Sequence, residues 1–209
     1  MARELIPCED NNNLYKTSNN SWYEYLLTRL FCPIGQFGNN QLSVITFNYD
    51  RSLEQFLFNH LTNSFKASLE DCAAALDKIP ILRVYGKLSD LKWKNENGRK
   101  YSESFNHEDL ENAADQIKIV SESYDKTPEF QKAYELMANA EKVYFFGFGY
   151  HYANLERLAV NSLKKQNLIG TTYGLGKEEC NQITDEWNIT LDRPGLTIYE
   201  FLKDIDPLS

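Results

Sequence analysis

An α/β fold on a mostly parallel sheet of about five strands follows from three features of the sequence. Short apolar runs rich in β-branched and aromatic residues recur along the chain, helical apolar periodicities lie between them, and several runs end in Asn, Asp or Gly. Strands that alternate with helices form parallel sheets covered on both faces. With 209 residues and a 42% apolar share, residues 1–209 read as a single domain with a packed core.

Residues 1–20 are polar and asparagine-rich (Asn11, Asn12, Asn13, Asn19, Asn20), the composition of a lead-in with little structure of its own. Trp22, Tyr25, Leu26 and Leu30 recur at helical spacing behind Ser21, a possible cap, and Pro33, Gly35 and Gly38 end that helix. A first strand over 42–47 runs through Asn48, Tyr49 and Asp50 into a helix with Leu53, Phe56, Leu57 and Leu61 on one face. Asp50 is placed to cap that helix. A helix containing Leu69, Cys72, Ala73 and Leu76 then leads through Pro80 to a second strand over 81–85.

A polar insertion over 87–107 follows, with one tryptophan, Trp93. Its basic residues Lys92, Lys94, Arg99 and Lys100 are diluted by Asp90, Glu96 and Glu103, as in a solvated loop. Helical patterns over 110–120 and 130–140 precede a strand over 143–146, a glycine-bearing turn, and a helix with Leu155, Leu158 and Ala159. A strand over 168–172, a helix with Cys180, Ile183 and Trp187, and a final strand over 196–199 complete the chain.

The net charge of −8 argues against direct nucleic-acid binding, which needs clustered Lys and Arg. Cys8, Cys32, Cys72 and Cys180 are widely spaced with no C-x-x-C pair, so no zinc site is expected; Cys72 and Cys180 read as buried thiols. No apolar run approaches the roughly 18 residues of a membrane span, and the N-terminus lacks a signal-peptide pattern. A cytoplasmic protein without a membrane partner is expected.

Ligands of open parallel sheets bind outside the carboxyl ends of the strands. Three such ends stand out. In VITFNYDRSLE, Asn48 and Asp50 put short polar side chains at the crevice, although capping alone also explains Asp50. In LRVYGKL, Tyr85 and Gly86 set a phenol beside bare backbone, which is also what a buried aromatic next to a turn glycine looks like. In VYFFGFGYHYANLERL, Gly147 and Gly149 permit close approach to a ligand at the start of a helix, and His151 follows them, as a site residue or a structural one.

Together these segments resemble the sirtuin-like NAD-binding family, in order and spacing, over roughly 42–200. TFNYD is similar to the family's T-x-N-x-D element. The resemblance implies that Thr46, Asn48 and Asp50 lie against the nicotinamide and its ribose. Tyr85 and Gly86 stand where the family has His-Gly. Gly147, Phe148, Gly149 and Asn154 look like the later glycine-turn that contacts NAD phosphate and ribose, in its bacterial form, and the strand end at Thr171 and Thr172 resembles the next nucleotide-contacting segment. The fold so implied is a Rossmann-like three-layer αβα sandwich.

The departures redirect the chemistry. No glycine-rich pyrophosphate loop lies upstream of Leu42, and 87–107 has no cysteine where the family's deacetylases carry a zinc module. Tyr85 replaces the basic histidine, and a phenol of pKa ~10 is a poor base at neutral pH. Lysine deacetylation and zinc are not expected. The resemblance instead implies an NAD-cleaving enzyme of the bacterial antiviral-defence type, with NAD as cofactor and Asn48, Asp50 and His151 as catalytic candidates. The competing functions are a catalytically inactive module for NAD or an ADP-ribose-like nucleotide, and a ligand-free interaction domain presenting Trp22, Tyr23 and Trp93. The family's missing first strand leaves a gap in the sheet. The strands over 42–47 and 143–146 can close it, or a segment such as 3–7, a second copy or a partner chain can fill it.

Overall fold

The computed structural model describes residues 1–15, 21–118, 127–163, 166–191 and 195–205. The fold is mixed α/β with short parallel strands in two small sheets. The chain divides into two compact units, Met1–Glu122 and Ser123–Ser209.

Unit 1 opens with α1 (Ala2–Leu5), a 3₁₀ turn (Ile6–Cys8) and α2 (Asn11–Tyr15), followed by α3 (Trp22–Leu30) and α4 (Ile34–Phe37). Strand β1 (Val44–Thr46) leads to α5 (Ser52–Ser64), α6 (Leu69–Leu76) and β2 (Ile81–Arg83). The two strands pair in parallel with Val44 opposite Ile81 and Thr46 opposite Arg83. The α5–α6 connection forms because both helices carry an apolar stripe: Phe56, Leu57 and Leu61 on α5, Cys72, Ala75 and Leu76 on α6, all buried. Ser68 Oγ accepts the Asp71 N–H (3.0 Å) and starts α6. Helix α7 (His107–Gln116) is held by a reciprocal box between Asn106 and Asp109.

Several expectations are corrected here. The described part of the lead-in, 1–15, is packed rather than loose. Ala2 and Ile6 lie in a core cluster with Leu88 and Ala113, and Glu9 is fully buried. Residues 16–20 lie outside the described residues. The segment 3–7 is helical, so it supplies no strand. The insertion over 87–107 is not a solvated loop: Leu88, Leu91, Arg99 and Tyr101 are buried, and the Trp93 ring stacks on Phe58 at 4.1 Å. Trp22, Tyr23 and Trp93 are each half-buried. The helix expected over 110–120 runs earlier, and its last two residues, 119 and 120, lie outside the described residues.

Unit 2 comprises α8 (Pro128–Asn139), β3 (Lys142–Phe145), α9 (Tyr152–Arg157), a 3₁₀ turn (Val160–Ser162), β4 (Asn167–Gly170), α10 (Lys177–Trp187), β5 (Thr190–Leu191) and α11 (Ile198–Ile205). The sheet order is β3-β4-β5, parallel throughout, with Phe145 opposite Gly170 and Gly170 opposite Leu191. The strand expected over 196–199 is instead the start of α11. Thr197 and Glu200 satisfy each other's backbone N–H groups (3.3 and 2.8 Å), and this capping box sets the helix going. Ile198, Phe201 and Leu202 follow at helical spacing, the last two fully buried. Cys180, expected inside, is half-buried, whereas Cys72 is buried. Among the described residues no helix is long and apolar enough to cross a membrane.

Candidate functional site

Parallel pairing puts the carboxyl ends of β1 and β2 side by side, so Thr46 to Asp50 and Arg83 to Gly86 form one neighbourhood in unit 1. Thr46 Oγ1 accepts the Asn48 N–H (3.1 Å), which bends the chain out of the strand. Phe47 meets Tyr85 edge-on at 5.4 Å. Tyr49 packs on the cluster around Ile6 and Leu88, and its carbonyl accepts the Leu88 N–H (3.1 Å).

Asp50 lies one residue ahead of the cap position, held by Arg51. It is therefore not the cap expected from the sequence; its Oδ1 accepts the Ser52 N–H (3.0 Å) in an Asx turn that leads into α5. Asn48 differs: it is exposed, and its side chain makes no hydrogen bond among the described residues. Gly86 has a structural cause. Its φ is +87°, and a Cβ there would lie 2.0 Å from the Gln116 carbonyl oxygen, because Gly86 bridges to Ile117.

Four residues that pattern reading passed over surround Asp50. Arg83, at the end of β2, donates to Glu54 Oε1 (2.5 Å), to Glu54 Oε2 and to the Asp50 carbonyl (2.8 Å). Burial alone lowers the Arg83 guanidinium, but its bonds to Glu54 and the charges of Glu54 and Asp50 outweigh that and raise it. The Tyr23 phenol is raised well above its ordinary value, first by burial and then by the charges of Asp50 and Glu54. The Tyr101 phenol is pushed up to about 12, chiefly by burial, and shares a hydrogen bond with Ser52 Oγ (2.8 Å). One signal was available: an arginine inside the apolar run Ile81–Leu82–Arg83–Val84 needs a partner, and Glu54 sits among α5's buried residues.

The second group of site residues lies at the carboxyl ends of adjacent β3 and β4 in unit 2. The Gly147 N–H donates to Thr171 Oγ1 (3.1 Å), with Gly147 at φ +57°. Tyr150, at φ +48°, is buried; its hydroxyl donates to the Thr171 carbonyl (2.9 Å) and its ring contacts Phe145 and Phe148. Gly170 must be glycine, since a Cβ would sit 2.0 Å from the Tyr150 hydroxyl. Gly149 is exposed with open space around it. His151, at the cap position of α9, is exposed, and its imidazole has no hydrogen-bond partner among the described residues. Asn154 returns its N–H to the His151 carbonyl (2.9 Å). Thr172 is 1% exposed, inside the unit rather than on its surface.

Thus Thr46, Asn48, Asp50, Tyr85 and Gly86 are gathered in one unit, and Gly147, Phe148, Gly149, His151, Asn154 and Thr172 in the other. Around Asp50, neutral phenols and a paired guanidinium offer hydrogen bonds to hydroxyl groups, whereas a phenol held neutral is no base. Among the described residues no group of three or more His, Cys, Asp or Glu could hold a metal ion. No family model, no curated protein and no solved structure matches the chain.

Proposed function

We propose that this chain is a sirtuin-like NAD-binding domain that holds the nicotinamide ribose of NAD at Asn48 and Asp50. The observation that carries the reading is the state of Asn48: an exposed carboxamide whose side chain makes no hydrogen bond among the described residues, at the carboxyl ends of two adjacent parallel strands. Asp50, Tyr85 and the neutral phenols Tyr23 and Tyr101 supply the polar surroundings for ribose hydroxyls. In the same reading Gly147, Phe148, Gly149 and Asn154 serve the phosphate and second ribose, and the α/β fold is of Rossmann-like type. The setting that goes with it is bacterial, cytoplasmic, antiviral defence.

Cleavage of the N-glycosidic bond is the activity this site would perform if active, with Asn48 holding water or ribose and Asp50 orienting the ribose. A specific observation favours the inactive alternative. Among the described residues no hydrogen bond orients the imidazole of His151, the histidine candidate, as a general base requires. Thermal-shift titrations with NAD and ADP-ribose test binding, because a ligand of the native state raises stability by mass action. Assay of nicotinamide release then separates enzyme from binding module. No thermal shift with either nucleotide would overturn the reading.

A further inference from the structure

Away from the strand ends, unit 1 carries a groove that the nucleotide reading does not use. Helix α2 lines it with Asn11, Asn12 and Tyr15, and α5 with Gln55, Asn59 and Asn63; it encloses about 640 Å³ and opens to solvent. The three α5 residues recur at every fourth position and form one stripe on the helix. In a chain with 25% charged residues, five carboxamides and a phenol without a single charge make a distinct lining.

The amides at its centre are fixed in direction. Trp93 Nε1 can only donate, and it donates to Gln55 Oε1 (3.1 Å). Gln55 Nε2 therefore faces Asn59 Oδ1 (2.6 Å), and Asn59 Nδ2 donates to the Tyr15 hydroxyl (2.8 Å). Having accepted there, the Tyr15 hydroxyl keeps its proton for a further acceptor. Asn11 Nδ2 is held by the Tyr101 carbonyl (3.1 Å), which leaves its oxygen to accept. The side chains of Asn12 and Asn63 have no hydrogen-bond partner among the described residues, and the Tyr15 ring is 53% exposed.

A matching ligand carries no net charge, both donates and accepts hydrogen bonds, and offers an apolar face to the Tyr15 ring. Among the described residues an anion finds no cation in this lining and a cation finds no carboxylate, while an apolar molecule would desolvate the amides without replacing their bonds. We propose that the groove binds a short neutral oligosaccharide, its hydroxyls bonded to the amide stripe and one sugar face against Tyr15.

The test uses the full chain, isotopically labelled, with the Asn and Gln side-chain amide resonances as readout. Maltotriose, cellotriose and chitotriose are titrated separately to about 10 mM, high enough to reveal a Kd near 1 mM. Adenosine and tri-galacturonate serve as competing chemistries. The expected result is saturable shifts with a neutral trisaccharide, indifferent to salt because no charge takes part. Tyr15→Phe and Asn63→Ala, both at exposed positions, should each weaken binding about five- to tenfold with Tm unchanged. No response to any of the three sugars, equal affinity in both variants, or a response confined to adenosine or the charged trimer would overturn the assignment.

Discussion

The Arg51 guanidinium closes on the Glu9 carboxylate, 42 positions earlier in the chain, with both side chains essentially excluded from solvent. Glu9 Oε1 also accepts the Arg51 backbone N–H (3.0 Å), and Oε2 is shared with Arg99. Arg51 donates further to the carbonyls of Asp90 (2.8 Å), Arg99 (3.1 Å) and Lys100 (3.2 Å), and Arg99 Nη1 donates to the Ser102 carbonyl (2.8 Å). Burial, and then the charge of Arg51, pulls the Arg99 guanidinium below its ordinary value against the opposing charge of Glu9. One carboxylate thus ties the N-terminal segment, the start of α5 and the polar insertion together.

Glu9→Ala removes the one carboxylate that, among the described residues, is hydrogen-bonded to both Arg51 and Arg99, and breaking a buried pair in this way costs about 3–5 kcal/mol. Urea denaturation should show that loss. Glu4→Ala, whose side chain is 86% exposed, should change stability by less than about 0.5 kcal/mol. Equal effects of the two variants would mean that the triad does not hold the segment.

Asn48→Ala should leave the urea midpoint nearly unchanged, within about 0.5 kcal/mol, while abolishing the thermal shift with NAD or ADP-ribose. Asp50→Ala should cost about 1 kcal/mol through the lost bond to the Ser52 N–H. An early-melting Asn48→Ala that still responds to nucleotide reverses the assignment.

The two glycine sites respond oppositely to a methyl group. Gly86→Ala forces a Cβ into the Gln116 carbonyl at φ +87° and should destabilise by more than about 1 kcal/mol. Gly149→Ala meets nothing within 4 Å and should be neutral in stability. Loss of nucleotide response in the Gly149 variant alone would then point to ligand contact rather than folding.

Alkali should unfold the protein in a defined window. A phenol whose folded-state pKa is raised contributes stability that is complete below its ordinary value of 10.0 and is lost as pH climbs towards about 12, as for Tyr101. Tyr23 and Tyr150, raised chiefly by burial, add to the same slope. The urea midpoint should fall steadily across that interval, less steeply in Tyr101→Phe, with phenolate absorbance reporting the titration. A flat midpoint would show that these rings are not buried as described.

Local chemistry in the sequence was enough to place β1, β2, β3 and β4 within a few residues, together with α5, α6 and the parallel α/β character. Each depends on which face of a short segment is apolar, and that energy repeats with the period of the element. Asn48, Asp50 and the Gly147 turn were legible for a similar reason: a strand that runs into short polar or glycine residues must end there. Even α11 was legible, since Thr197 and Glu200 have capping-box spacing, but the apolar pair Leu196 and Ile198 suggested a strand.

Tertiary structure alone decided that residues 1–15 are part of the core, that the polar insertion is built around Arg51, and that Arg83, Glu54, Tyr23 and Tyr101 surround Asp50. Arg99 and Glu9 stand 90 positions apart. Nothing periodic marks such a pair, because its energy exists only once chain closure has brought the charges together and removed the water between them. A glutamate in a polar, asparagine-rich segment looks solvated until the fold supplies its two arginines. The split of the strands into two sheets has the same origin: each strand's sequence specifies a face to bury, and its neighbour is chosen by long-range packing.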